Sequence, residues 1–195
     1  MFGEIREKLL ALAAEDRRTR ERLAADGSLY QGYHPEMQAV HEANARALEA
    51  LIADHGWLGA RQIGEDGAEA AWLIVQHAIG LPGFQRACLP LLQTAAAKGD
   101  VPPWQPAMLL DRIRAFEGRP QLYGTQFDWD DAGRISPLPI EDEAQVDARR
   151  AAIGLPPLAQ AIARHRADFA GVTPPADMAR RRREQEDWAK RVGWR

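Results

Sequence analysis

Residues 70–77 read AAWLIVQH. Around them, residues 66–79 form a predicted helix that is apolar nearly all round. A helix of that kind is normally central and buried, so it sets a helical fold. It finishes on two hydrogen-bonding side chains, Gln76 and His77, before Gly80.

Upstream, GWLGARQIGEDG (residues 56–67) reads as a loop by its glycines. A helix over 35–54 precedes it. Pro35 suits the first helical position, where its missing N–H would be unpaired anyway. Met37, Val40, Leu48, Leu51 and Ile52 make its apolar face, and His41 and Asn44 lie on or beside that face. The first helix spans 2–25, with Ile5, Leu9, Leu12 and Leu23 on one stripe that Asp16 and Thr19 interrupt.

Downstream, Pro82 and Gly83 open a helix that runs to about Lys98, and another covers 105–116. Residues 121–129 alternate as a strand would, DWDDAGR supplies a turn, and ISPLPI returns as a second short strand. Pro137 and Pro139 confine the return to an edge. Helices follow at 142–152 and 156–169. GVTPP is a linker, and ADMARRRREQEDWAKRVGWR is a charged C-terminal helix. The expected fold is therefore mainly α: a compact multi-helix domain over 1–170, one short β-hairpin at about 121–140, and a linker plus charged helix over 171–195.

In that last helix Arg180, Arg182 and Arg183 each precede an acid by four residues (Glu184, Glu186, Asp187), the spacing of surface ion pairs. Trp188 and Trp194 suggest that the helix docks, on its own domain, in a homo-oligomer or on a partner protein.

Bulk properties exclude several classes. The 195 residues, 46% of them hydrophobic, can bury a real core. A net charge of −3 argues against a dedicated nucleic-acid binder. The single cysteine, Cys88, cannot form an internal disulfide and reads as a small buried side chain. The N-terminus has early acids and no continuous apolar stretch, so it does not read as a signal peptide. The run AAWLIV is far shorter than the ~20 residues of a membrane span. A cytoplasmic protein with no membrane or nucleic-acid partner is expected.

The informative pattern is polar interruption of apolar faces, by Asp16, His41, Asn44, Gln76, His77, Asp111 and Arg112. The segment RPQLYGTQFDW (119–129) adds Gln121, Tyr123 and Thr125 on one strand face and Gln126 on the other. An unpaired buried polar group costs roughly 1–3 kcal/mol. Such groups are tolerable where they meet each other or line a cavity, which predicts a shared polar pocket. Taken singly, each has a plainer reading. His77 could bond a last-turn carbonyl, and Asp111 could form a salt bridge with Arg112 or Arg114. Gly124 could bend the strand or admit a ligand or another backbone. His34 and His55 read as surface or capping residues, His165 as solvated.

No metal and no cofactor is expected. HExxH, CxxC, GxGxxG, GxxxxGK[ST] and GxSxG are all missing. His34 and His41 lie two helical turns apart, roughly 10 Å, too far to share an ion. A set drawn from Asp16, His41, His77 and Asp111 is geometrically open, since each sits on a different helix, but nothing in the sequence demands it.

The blocks GW (56–57), AAWLIVQHA (70–78), LLDRIRAFEGRPQLYGTQ (109–126) and DARRAAIGLPPL (147–158) together resemble bacterial domain-of-unknown-function family 6624. The resemblance covers roughly residues 5–160. Leu58 stands where the family pattern has proline. The resemblance implies no activity. It implies only that Gln76, His77, Asp111, Arg112, Gln121, Tyr123, Gly124, Thr125 and Gln126 fall in recurrent blocks.

Two functional readings follow. In the first, the protein is an enzyme acting on a small polar or anionic molecule by acid/base or hydrolytic chemistry. His77 is the general base or acid, since histidine ordinarily titrates near neutrality. Asp111 orients it or a water. Arg112 holds an anionic group, and Gln76, Gln121, Tyr123, Thr125, Gln126, His41 and Asn44 bind the substrate. In the second, it is a non-catalytic module for a small ligand or a protein, and the polar cluster is structural.

Overall fold

The computed structural model describes residues 1–30 and 32–195. The described residues form a mainly α structure with one two-stranded antiparallel hairpin. They divide into two compact units, Met1–Pro102 and Pro103–Arg195.

The first unit holds α1 (Phe2–Ala25), α2 (Pro35–His55), α3 (Ala60–His77) and α4 (Pro82–Ala97). His34 caps α2, its ring accepting from the Glu36 N–H at 3.2 Å, and Pro35 takes the first helical position. The α3 helix begins earlier than its glycines suggest. Ala60–Ile63 make a first turn, with the Gln62 side chain accepting from the Gly59 N–H at 3.3 Å. Gly64, at φ +74°, then kinks the chain into the longer run that bears the apolar segment.

The core of this unit is built by Leu9, Ala13 and Leu23 of α1, Met37, Ala45 and Leu48 of α2, and Ala71, Ile74 and Val75 of α3. Truncating one of its leucines to alanine would cost about 2–5 kcal/mol. Asp16 and Thr19 continue the buried stripe of α1 at ordinary helical spacing. The carboxylate therefore stands where a leucine would otherwise point inward.

The second unit holds α5 (Trp104–Phe116), β1 (Phe127–Trp129), β2 (Ile135–Pro137), α6 (Val146–Ala152), α7 (Leu158–Asp168) and α8 (Met178–Val192). The register pairs Phe127 with Pro137, Asp128 with Ser136 and Trp129 with Ile135. The strands are shorter than the alternation over 121–129 suggests. Residues 122–126 form no strand, and Gln121 makes only an isolated bridge to Ile140. The reason is that the Leu122, Tyr123, Thr125 and Gln126 N–H groups are bonded to the side chains of Asp111 and Gln121 rather than to a neighbouring strand.

The C-terminal helix packs on its own unit. Phe116 lies 5.5 Å from the Trp188 ring and 5.1 Å from the Trp194 ring. The Arg180–Glu184 pair is present at 3.5 Å. The other two expected pairs give way to hairpin contacts and a different acid–base pairing. Arg182 reaches Asp131 at 2.6 Å, Arg181 takes both oxygens of Asp128, and Glu186 meets Lys190 at 3.1 Å. His165 is not solvated: its ring lies 4.1 Å from Phe127, and burial lowers its pKa. Among the described residues, no helix is long and apolar enough to cross a membrane.

Candidate functional site

The polar residues singled out in the sequence sort into two clusters, one in each unit. In the first unit Asp16 of α1, His41 of α2 and His77 at the end of α3 converge. Asp16 is 1% exposed. Its Oδ2 lies 2.8 Å from His77 Nδ1 and 3.1 Å from His41 Nε2. The two imidazole rings are 5.0 Å apart. His41 is buried, whereas the His77 side chain keeps 25% of its surface.

Neighbouring residues fix these three. The Asn44 amide, one turn beyond His41, donates to the Leu12 carbonyl of α1 at 3.1 Å. That bond ties α1 to α2 at the level of the cluster. Gln85 of α4, fully buried, donates to the Val75 carbonyl at 2.7 Å and more distantly to that of Gln76. It thereby satisfies last-turn carbonyls that a helix end leaves open, and it holds the turn that carries His77. Gln76 is buried beside it. The Tyr33 hydroxyl shares a 2.8 Å hydrogen bond with His41 Nδ1, and burial raises its pKa.

Electrostatically the cluster is unbalanced. Burial pushes the Asp16 carboxyl up. The hydrogen bond from His77, the close approach of His41 and the charge of both rings outweigh it, so the group lies well below the usual carboxylate range. Yet Asp16 Oδ1 is buried with no donor among the described residues, and His41 Nε2 is not aligned for a hydrogen bond despite its 3.1 Å separation from the carboxylate. If the Tyr33 oxygen accepts from Nδ1–H, the Nε2 lone pair points at carboxylate oxygen. If Tyr33 donates, the Nε2–H is misdirected. Either tautomer leaves Asp16 Oδ1 without a donor among the described residues. The ligand atoms of the three residues lie within 4.8 Å of one another. Two imidazoles and one carboxylate are also a donor set used for divalent transition metals.

In the second unit Asp111 of α5 is fully buried and surrounded by donors. Its Oδ1 accepts the Leu122 N–H at 2.7 Å, both oxygens lie 3.1 Å from the Tyr123 nitrogen, and Oδ2 accepts the Thr125 N–H at 3.1 Å and its hydroxyl at 2.9 Å. Burial pushes this carboxyl up against those bonds. Gln121, also fully buried, donates to the Gln126 and Leu138 carbonyls and accepts the Gln126 N–H at 2.9 Å. The Gln126 amide donates to the Thr125 hydroxyl at 3.1 Å. Arginines hold the carbonyl side: Arg114 takes Pro120, Arg149 takes Leu122, and Arg150 takes Tyr123 and Gly124. The Asp111–Arg114 salt bridge considered from spacing gives way to this arrangement, because the carboxylate is occupied by backbone donors while Arg114 pairs with Glu141. The half-buried Tyr123 contributes its backbone to the network.

The sequence reading put His41, Asn44, Gln76, His77, Asp111, Gln121, Tyr123, Thr125 and Gln126 around one pocket; the first four lie in or beside the Asp16 cluster of the first unit, and the other five lie in the Asp111 network of the second. Arg112 lines a cavity in the second unit. Asp16 stood out as an interrupted stripe but was not named as a site residue. Tyr33 carried no signal, because a loop has no periodicity to violate. Arg149 and Arg150 fell within a recognised block without a role.

No curated protein and no solved structure shows a significant match to the chain. The profile of one family, described as a family of unknown function, matches residues 3–173. On that match, which spans most of its length, the chain belongs to the DUF6624 family.

Proposed function

We propose that the first unit carries a divalent-metal centre, with Asp16, His41 and His77 as ligands, that hydrolyses a small polar molecule. The observation that carries this reading is the convergence of three ligand atoms from three helices, within 4.8 Å of one another, beside a buried Asp16 oxygen that has no donor among the described residues. In a tetrahedral site with bonds of about 2.0–2.1 Å, ligand atoms lie roughly 3.3 Å apart. The 2.8 and 3.1 Å separations around Asp16 need little adjustment to reach that spacing. A 2.8 Å hydrogen bond from the far nitrogen of His41, Nδ1–H, to the Tyr33 oxygen is the kind of outer contact that orients a ligating imidazole.

Three protein ligands leave a coordination position for water, whose pKa a bound zinc ion lowers to about 7. The partial exposure of His77 gives a route to that position, and the burial of the other two ligands restricts it to small substrates.

The test is metal content and affinity. The purified protein should retain about one equivalent of zinc, manganese or iron, or should bind it in calorimetry. Saturation a hundredfold above Kd should add about 2.7 kcal/mol of stability. Asp16→Asn and His77→Ala should each abolish the effect. Metal-free protein that shows no thermal shift across the first-row divalent ions would overturn the metal reading.

A further inference from the structure

The Asp16 centre depends on where α3 stops, because His77 is the last residue of that helix. The other three α-helices of the unit end at a glycine in the left-handed region: Gly27 after α1 at φ +79°, Gly56 after α2 at φ +74° and Gly99 after α4 at φ +66°. Such a glycine lets the chain fold back and satisfy the open carbonyls of the last turn. The α3 helix ends differently. Its cap, Ala78, sits at φ −73° and ψ +40°, and the Ile79 N–H turns back to the His77 carbonyl at 2.7 Å. In a continuing helix that N–H would take the Val75 carbonyl. The Ala78 N–H reaches the same carbonyl only at 3.4 Å.

The missing donor comes from α4. Gln85 Nε2 donates to the Val75 carbonyl at 2.7 Å and lies 3.4 Å from that of Gln76. The Gln85 N–H holds the Leu81 carbonyl at 3.2 Å. One residue thus ties the last turn of α3, the corner at 78–81 and the first turn of α4. The plainer account is an ordinary helix cap. It leaves unexplained why the cap is a fully buried amide whose Oε1 has no hydrogen-bond partner among the described residues. A buried unpaired acceptor is destabilising, and a glycine end would avoid it. The turn held in this way is the one that keeps His77 Nδ1 at 2.8 Å from Asp16.

We infer that Gln85 is a positioning residue of the Asp16–His41–His77 centre. It replaces the donor that Ile79 withdraws, and so fixes the His77 ring where all three ligands can share one ion. The assignment rests on the metal reading of that centre. Ligand distances are tolerated only within about 0.2 Å, so a loosened last turn weakens binding while Asp16 and His41 stay in place.

The experiment is chelator competition for zinc and for manganese, near neutral pH, on the full chain. Wild type is compared with Gln85→Met, Gln85→Asn and Leu92→Ala. Methionine keeps most of the volume without the donor. Asparagine keeps the amide but withdraws it by one methylene, a milder change that preserves the test should Gln85→Met not fold. Leu92, fully buried in α4 about two turns further on, controls for plain loss of packing. Affinity should weaken about tenfold in Gln85→Met and about threefold in Gln85→Asn, and should stay within about twofold of wild type in Leu92→Ala. Gln85 variants that bind as tightly as wild type would overturn the inference and leave the metal reading standing. An equal loss in Leu92→Ala would do the same, since it would mark general loosening of the unit. Wild-type protein that binds neither ion would overturn the metal reading, and the inference with it.

Discussion

Asp111 and Asp16 are both buried carboxylates, and they are held in opposite ways. Around Asp111, donors from Leu122, Tyr123 and Thr125 face both oxygens. Asp111→Asn keeps the shape but turns an amide NH₂ towards one of those N–H sets, whichever way it is flipped. It should therefore lower the unfolding free energy by about 2–4 kcal/mol, measured by denaturant titration. A change below about 0.5 kcal/mol would mean that the loop does not depend on the carboxylate. Gly124 belongs to the same loop. It sits at φ +63°, and an added Cβ would come within 2.9 Å of Ile140 and Leu158 side-chain carbons. Its glycine thus serves backbone conformation and packing within the unit. Both residues were legible in the sequence as anomalies. Their partners were not, because backbone N–H groups carry no residue identity and the spacing of Arg149 and Arg150 from the loop says nothing of contact. Asp16 was legible for a stronger reason: a charge at a stripe position must meet a partner, and the histidines that meet it interrupt the faces of their own helices.

Among the elements, the helices were readable and the hairpin only in part. Proline and glycine punctuation and apolar spacing place the ends of α1, α2, α4 and α5 within a few residues. Alternation over 121–129 was misleading because the same polar residues close a side-chain-bonded loop before the short strands begin. The turn that follows is built on Asp130. Its carboxylate accepts the Arg134 and Ala132 N–H groups, each at 2.9 Å, and the Ser136 hydroxyl at 2.9 Å. The backbone bond from Arg134 is the chief cause that depresses its pKa, to about 2, with the Ser136 and Ala132 bonds adding to it against a partial opposition from burial. A depressed folded-state pKa means that the ionised group stabilises the turn above the ordinary carboxylate pKa of about 3.9, and that this support is lost as pH falls towards 2. Amide shifts of Ala132 and Arg134 should therefore titrate together between about pH 4 and pH 2, ahead of global unfolding. Asp130→Asn should remove that titration. Shifts that stay flat through the window would show that the turn stands without the carboxylate.

At the scale of the whole molecule, the sequence predicts one polar pocket; within the first unit Asp16, His41 and His77 meet, and within the second Asp111, Gln121 and Thr125 meet the loop 122–126. Polar interruption identifies which side chains need company but not which of them share it; pairing is decided by packing, which a single chain of letters does not encode. Hydrogen exchange on the full chain tests the metal reading of the first cluster. Zinc or manganese should slow exchange in α1, the later part of α2 and the C-terminal half of α3, because a ligand held by all three helices suppresses their local opening. Peptides of α4, which supplies Gln85 to the α3 end, should slow with them. Exchange in α1, α2 and α3 that is unchanged at saturating metal would show that no ion is held by the three helices together.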